Sequence, residues 1–215
     1  MSRLVFFDLD GTLTDRQSAL SDAVAVLCRA HTFAPDIERW LLTELADRAS
    51  ANDFTRLRDT FDLQQSPVLL WQDYVSFMAG AVTCRPDVIE GLAQLHAAAW
   101  TVGVITNGAS DIQRAKLAAT GLADLVDGVA VSGDLEIRKP DLRLFQLASI
   151  RCGVNLADGG WMVGDNATGD IGGGHGAGLR TIWLRGSPWP DGVPAADHVV
   201  DDVTDAINIL LEETE

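Results

Sequence analysis

Six short apolar runs recur along this chain: Leu4 to Phe7, Thr101 to Ile105, Val129 to Val131, Trp161 to Val163, Thr181 to Leu184 and His198 to Val200. Helical patterns fill the gaps between them. The first run is continuous rather than alternating, as in a strand covered by helices on both faces. Strand alternating with helix predicts an α/β fold, doubly wound around a mainly parallel, Rossmann-like sheet with right-handed crossovers. Proline beside a capping or acidic residue marks helix starts at Pro35-Asp36, Ser66-Pro67, Pro86-Asp87 and Pro140-Asp141. One stretch breaks the alternation. From about Asp15 to Thr83 only helical patterns appear (Leu20 to His31, Ile37 to Ala49, Val68 to Ala81), which predicts a helical cap inserted after the first strand. The expected division is a discontinuous core, 1–14 and 84–215, with a cap at 15–83. A length of 215 residues suits one large domain carrying an insertion, and 47% hydrophobic residues provide for a sizeable core.

Charge and cysteine usage narrow the classes of function. A net charge of −15 would repel a phosphate backbone or an anionic membrane, so neither nucleic acid nor membrane is expected as a partner. Cys28, Cys84 and Cys152 are far apart, with no CxxC and no Cys/His cluster, which excludes a zinc knuckle or a disulfide framework and fits a reducing cytoplasm. Leu4 to Phe7 is too short for a signal-peptide core or a membrane span. Only two lysines occur, Lys116 and Lys139.

Polar residues of one kind follow run after run. Residues i and i+2 of a strand share a face, so Asp8 and Asp10 lean into one place as the first strand ends. Two carboxylates so close need a cation or a shared proton. Gly11 permits a tight turn, and Thr12 adds a hydroxyl. Thr106-Asn107-Gly108 follows the second run and leads into a helix starting near Ala109 to Asp111, offering a hydroxyl, an amide and backbone N–H groups as an oxyanion or phosphate cradle. Lys139, extended before Pro140, is free to reach outward. Gly164-Asp165 to Asp170 supplies two further carboxylates after the fourth run. Each pattern alone is an ordinary turn or a solvated lysine. All of them at strand ends, where an open parallel sheet binds its ligands, make one site.

These motifs, Asp8-Leu9-Asp10-Gly11-Thr12-Leu13-Thr14, Thr106-Asn107-Gly108, Lys139-Pro140 and Gly164-Asp165 to Asp170, resemble in order the four motifs of the haloacid dehalogenase-like hydrolase superfamily, with Asp15 to Thr83 in the place of that family's helical cap. The resemblance implies that Asp8 attacks phosphorus to give an aspartyl-phosphate and that Asp10 is the acid and base. It implies a Mg²⁺ cofactor held by Asp8, the Asp10 carbonyl and Asp165, with Asp170 in support. Thr106, Asn107, Gly108 and Lys139, with Gly11 and Thr12, would bind the phosphoryl oxygens. Dehalogenases of the family resemble phosphatases that lack the second Asp, so Asp10 favours a phosphatase. The expected activity is hydrolysis of a small phosphorylated metabolite, a sugar phosphate or nucleoside monophosphate; a sugar phosphomutase would share the first steps. Thr106 to Arg114 with Gly121-Leu122 is most similar to members acting on nucleoside monophosphates or on acylneuraminate 9-phosphate. In the cap, Arg56, with Arg48 and Arg58 beside it, is the candidate for an anionic substrate group.

Other readings are weaker. Gly172, Gly174 and Ala177 satisfy a loose GxGxxA spacing, but the acidic turn before them occupies the place a pyrophosphate would need. A scaffold that had lost catalysis would not need both Asp8 and Lys139. The four histidines are expected to be structural or exposed, and Trp40, Trp71, Tyr74 and Phe77 to be core rather than substrate contacts.

Overall fold

The computed structural model describes residues 3–186 and 188–213, which form two compact units. The first comprises Met1–Thr14, Cys84–Asn107 and Leu122–Glu215; the second comprises Asp15–Thr83 and Gly108–Gly121.

A six-stranded sheet organises the first unit: β1 (Leu4–Phe7), β2 (Thr101–Thr106), β3 (Gly128–Val131), β4 (Trp161–Gly164), β5 (Arg180–Leu184) and β6 (His198–Val200). Every pairing is parallel and the order is β3-β2-β1-β4-β5-β6, so the sheet reverses direction of growth beside β1. All four β1 residues are buried, which explains their unbroken apolar run. Leu4, Phe6, Ile105 and Met162 pack on one face with Leu144, Phe145 and Ala148 of a helix at Leu142–Arg151. That helix starts two residues later than Pro140 suggested, because Asp141 is its N-cap and accepts the Arg143 N–H at 2.9 Å. Helices at Pro86–Ala97 and Val203–Glu212 pack on each other and are tied at their starts by Arg85 to Asp202, both guanidinium contacts being 2.6 Å. Gly173 presses against Phe145, and Gly174, the second glycine of the GxGxxA spacing, against Met162 and Thr181 of the sheet, where a side chain would not fit.

The second unit is helical: Arg16–His31, Pro35–Glu44, Ala51–Phe61, Pro67–Ala81 and Ser110–Ala119. Phe54, Trp71 and Tyr74 form an aromatic core, with Trp40 and Phe77 packed beside it, and the Trp71 indole donates to Asp111 Oδ2 at 2.6 Å. The helix expected over Ile37 to Ala49 stops short, and a further helix, Ala51–Phe61, follows beyond that segment. The first ends at Glu44, where the Arg16 guanidinium takes the Leu45 and Ala46 carbonyls. The next is launched by a capping box between Ser50 and Asp53. No helix among the described residues is long and apolar enough to cross a membrane.

Candidate active site

The end of β1 sets the site. Asp8 continues the ladder, donating its N–H to the Val163 carbonyl at 2.9 Å, so its side chain is delivered beside the end of β4. The chain then turns tightly, with the N–H groups of Leu13 and Thr14 both on the Leu9 carbonyl and Gly11 N–H on the Thr14 carbonyl. Gly11 has φ +84°, and a Cβ there would lie 2.4 Å from Asp165 Oδ2. Only glycine allows that approach. Gly164 does the same for Asp170, whose Oδ2 would be 2.2 Å from an added Cβ. Asp170 Oδ2 also accepts the Asn166 N–H at 3.0 Å, and Asn166 Oδ1 takes the Gly169 N–H at 2.7 Å.

Lys139 does not reach outward. It is buried, and its Nζ stands 2.6 Å from Asp8 Oδ1, 2.6 Å from Asp170 Oδ1 and 2.7 Å from the Ile105 carbonyl. Two buried carboxylates outweigh the solvation an exposed ammonium would keep, so the side chain turns in. Its backbone N–H is fixed by Asn107 Oδ1 at 2.9 Å. Thr106 closes β2 and is buried; Thr12 is buried too, and its hydroxyl has no hydrogen-bond partner among the described residues. Asp10, half-buried, lies beside the Thr14 hydroxyl at the turn.

The electrostatics show a deficit of positive charge. Burial pushes the Asp8 carboxyl up to about 7, a rise that Lys139 opposes and Asp170 reinforces. Burial and then Asp8 push Asp165 up to about 6. Asp170 is raised by burial as well, against the pull of Lys139. Burial acts to lower Lys139, but Asp170 and Asp8 outweigh it and hold the ammonium above its usual range. Carboxylate oxygens of Asp8, Asp165 and Asp170 all lie within 4.8 Å of one another. Three crowded carboxylates against one ammonium, a cluster of oxygen donors alone, fit a hard divalent cation such as Mg²⁺.

The structure thus brings Asp8, Gly11, Thr12, Thr106, Asn107, Lys139, Asp165 and Asp170 to the carboxyl ends of β1, β2 and β4, with Asp10 on the turn. Gly108 and Arg56 belong to the helical unit. Arg56 is exposed, bound to Glu44 and Asp53 and laid over the Trp40 ring at 5.6 Å. An anionic substrate would have to displace two carboxylates from it. Sequence reasoning missed the Ile105 carbonyl under Lys139 and the bond from the Trp183 indole to the Asp165 carbonyl. Neither has a local sequence signal, since each joins residues far apart in the chain.

The chain is similar to known proteins. A family model described as haloacid dehalogenase-like hydrolase matches residues 2–178. The pyrimidine 5'-nucleotidase YjjG of Escherichia coli (strain K12) is 35% identical over 123 residues, 57% of this chain; the match spans 54% of YjjG, about half its length. An (S)-2-haloacid dehalogenase 4A of Burkholderia cepacia is 30% identical over 200 residues, covering 86% of this chain and 85% of the relative. The crystal structure of a HAD phosphatase from Thermococcus onnurineus superposes with a TM-score of 0.70 at 27% identity, covering 98% of both chains. With its ordered motifs, its parallel sheet and these matches, the chain belongs to the haloacid dehalogenase-like hydrolases.

Proposed function

We propose that the protein is a Mg²⁺-dependent phosphomonoesterase acting on a small phosphorylated metabolite, a sugar phosphate or a nucleoside monophosphate, through an aspartyl-phosphate on Asp8. The observation that carries this reading is the second carboxylate, Asp10, two residues beyond a buried Asp8 that is itself locked to Lys139. Phosphate esters leave as alkoxides and need a proton, whereas a halide needs none. Asp10 is therefore superfluous to a dehalogenase and required of a phosphatase.

In the first step Asp8, with Oδ1 tied to Lys139, attacks phosphorus through Oδ2, and Asp10 gives its proton to the departing alkoxide. In the second, Asp10 takes a proton from water as that water attacks the phosphorus of the aspartyl-phosphate, releasing phosphate and restoring Asp8. Lys139 opposes the rise that burial imposes on the Asp8 and Asp170 carboxyls and so favours their ionised forms. The unpartnered Thr12 hydroxyl, with Thr106 and Asn107, serves the phosphoryl oxygens. Asp8, Asp165 and Asp170, with the Asp10 carbonyl, would hold the cation, which would offset charge between the carboxylates and the incoming phosphoryl group. Residues 15–83 would act as the cap that sets selectivity. Three free cysteines and a small metabolite as substrate suit the cytoplasm.

A dehalogenase reading is favoured by the Burkholderia relative, which matches along most of its length. Release of inorganic phosphate from a panel of sugar phosphates, nucleoside monophosphates and aryl phosphates, beside halide release from 2-haloacids, separates the two. Phosphate release that stops in excess chelator and in Asp8→Asn supports the proposal. Halide release alone overturns it, and transfer of phosphate to a second hydroxyl of the substrate identifies a mutase instead.

A further inference from the structure

Trp183 takes no part in the steps above, yet it is built into the site. It is buried at the carboxyl end of β5, in register with Gly164, and its indole Nε1 donates to the Asp165 main-chain carbonyl at 2.9 Å. Trp189 stands edge-on to it, with ring centroids 4.7 Å apart, and is anchored by its own Nε1 on the Val193 carbonyl at 3.2 Å.

Asp165 sits between two fixed points. On one side Gly164 is held in the sheet; on the other the Asn166 N–H is bound to Asp170 Oδ2. The Asp165 carbonyl is the group between them, and Trp183 holds it. Rotation of that peptide would swing the carboxylate out of the space that Gly11 leaves open for Oδ2. We infer that Trp183 is a positioning residue, whose indole N–H holds the Asp165 main chain so that its carboxylate stays within reach of Asp8 and Asp170 for a divalent cation. The inference rests on reading those three carboxylates as a metal site. Partners that orient metal ligands typically change metal affinity by about 10–100-fold when removed.

The test is metal binding by the substrate-free protein. Mn²⁺ dissociation constants from electron paramagnetic resonance, and Mg²⁺ constants from calorimetry, are compared for the wild type, Trp183→Phe and Trp189→Phe. Trp183→Phe keeps an aromatic ring against Trp189 and deletes the donor. Its metal constant should weaken about tenfold, with substrate KM unchanged and kcat restored at saturating Mg²⁺. Trp189→Phe should bind metal as the wild type does. In the wild type itself, the Trp183 indole ¹⁵N–¹H resonance should move on Mg²⁺ addition more than those of Trp40 and Trp71. An unchanged metal constant in Trp183→Phe, equal weakening in Trp189→Phe, or a stationary Trp183 resonance overturns the inference. A wild type that binds neither Mn²⁺ nor Mg²⁺ overturns the metal site itself.

Discussion

Replacing Lys139 with methionine keeps much of the side chain's length and removes the charge that lies 2.6 Å from both Asp8 and Asp170. Breaking a buried ion pair by removing one partner costs about 3–5 kcal/mol. Here the stranded carboxylates can take up protons, so the cost appears as a further rise in the Asp8 pKa, which is already about 7 with Lys139 in place. At about 1.4 kcal/mol per unit, the same energy is a rise of roughly two to four units. The ionised fraction of the nucleophile at neutral pH then falls by about 10² to 10⁴, and kcat/KM with it. Initial rates of phosphate release at fixed, saturating Mg²⁺ should show the acid limb of the pH profile displaced upward by at least about two units, with partial recovery of rate near pH 9. A natural ester and an aryl phosphate should lose alike, because Lys139 acts on Asp8 and not on the leaving group. A uniform loss with an unshifted limb would refute this reasoning and leave Lys139 as a phosphate ligand only.

Three further outcomes follow from the same geometry. Asp8 has a folded-state pKa near 7, above the ordinary 3.8, and Asp165 one near 6, so the folded state holds protons that the unfolded state has released. Their contribution is therefore present below about pH 4 and lost as pH rises through 6 to 7; in metal-free protein Asp8→Asn should gain on the wild type by on the order of 2 kcal/mol, or ~4–8 °C in Tm, between pH 5 and pH 8, and a constant Tm difference would contradict it. Asp10→Asn should depress alkyl phosphate esters at least about tenfold more than p-nitrophenyl phosphate, whose phenolate leaves with little protonation; equal losses on both would remove Asp10 from the acid role. Gly11→Ala, at φ +84° with Asp165 Oδ2 in the way of its Cβ, should cost about 1–2 kcal/mol of stability in chemical denaturation and weaken Mn²⁺ binding; an unperturbed metal constant would show that the close approach is not needed.

Much of this was legible because the core elements carry strong local signals. A strand buried on both faces has to be apolar throughout, so β1 announces itself in four letters, and the acidic turn after it can only stand at a strand end. The helical unit was less readable. Ile37 to Ala49 keeps a helical pattern past the point where the helix stops, because what ends it is Arg16, about thirty residues earlier, capturing the Leu45 and Ala46 carbonyls. The Ser50 and Asp53 box that starts the next helix was present in the letters, with Asp in place of the more usual Glu. Arg56 shows the same limit from the other side: its charge is visible in sequence, but its commitment to Glu44 is not.

The direction of Lys139 could not be read locally, and the reason bears on how the site works. The residue before a proline is expected to be extended, and an isolated lysine there belongs in water. It turns inward because the strand order places β1 between β2 and β4, so that Asp8, the Ile105 carbonyl and Asp170 surround one point. The same convergence half-buries Asp165 beside Asp8, and burial and then Asp8 push its carboxyl up to about 6. A site with a full complement of lysines would be more stable empty and would have less use for a metal or a phosphoryl group. Holding three acids around one ammonium keeps the nucleophile close to neutral pH and gives an incoming cation something to neutralise. The family's ordered motifs are thus the visible part of a charge arrangement that exists only once six parallel strands have aligned.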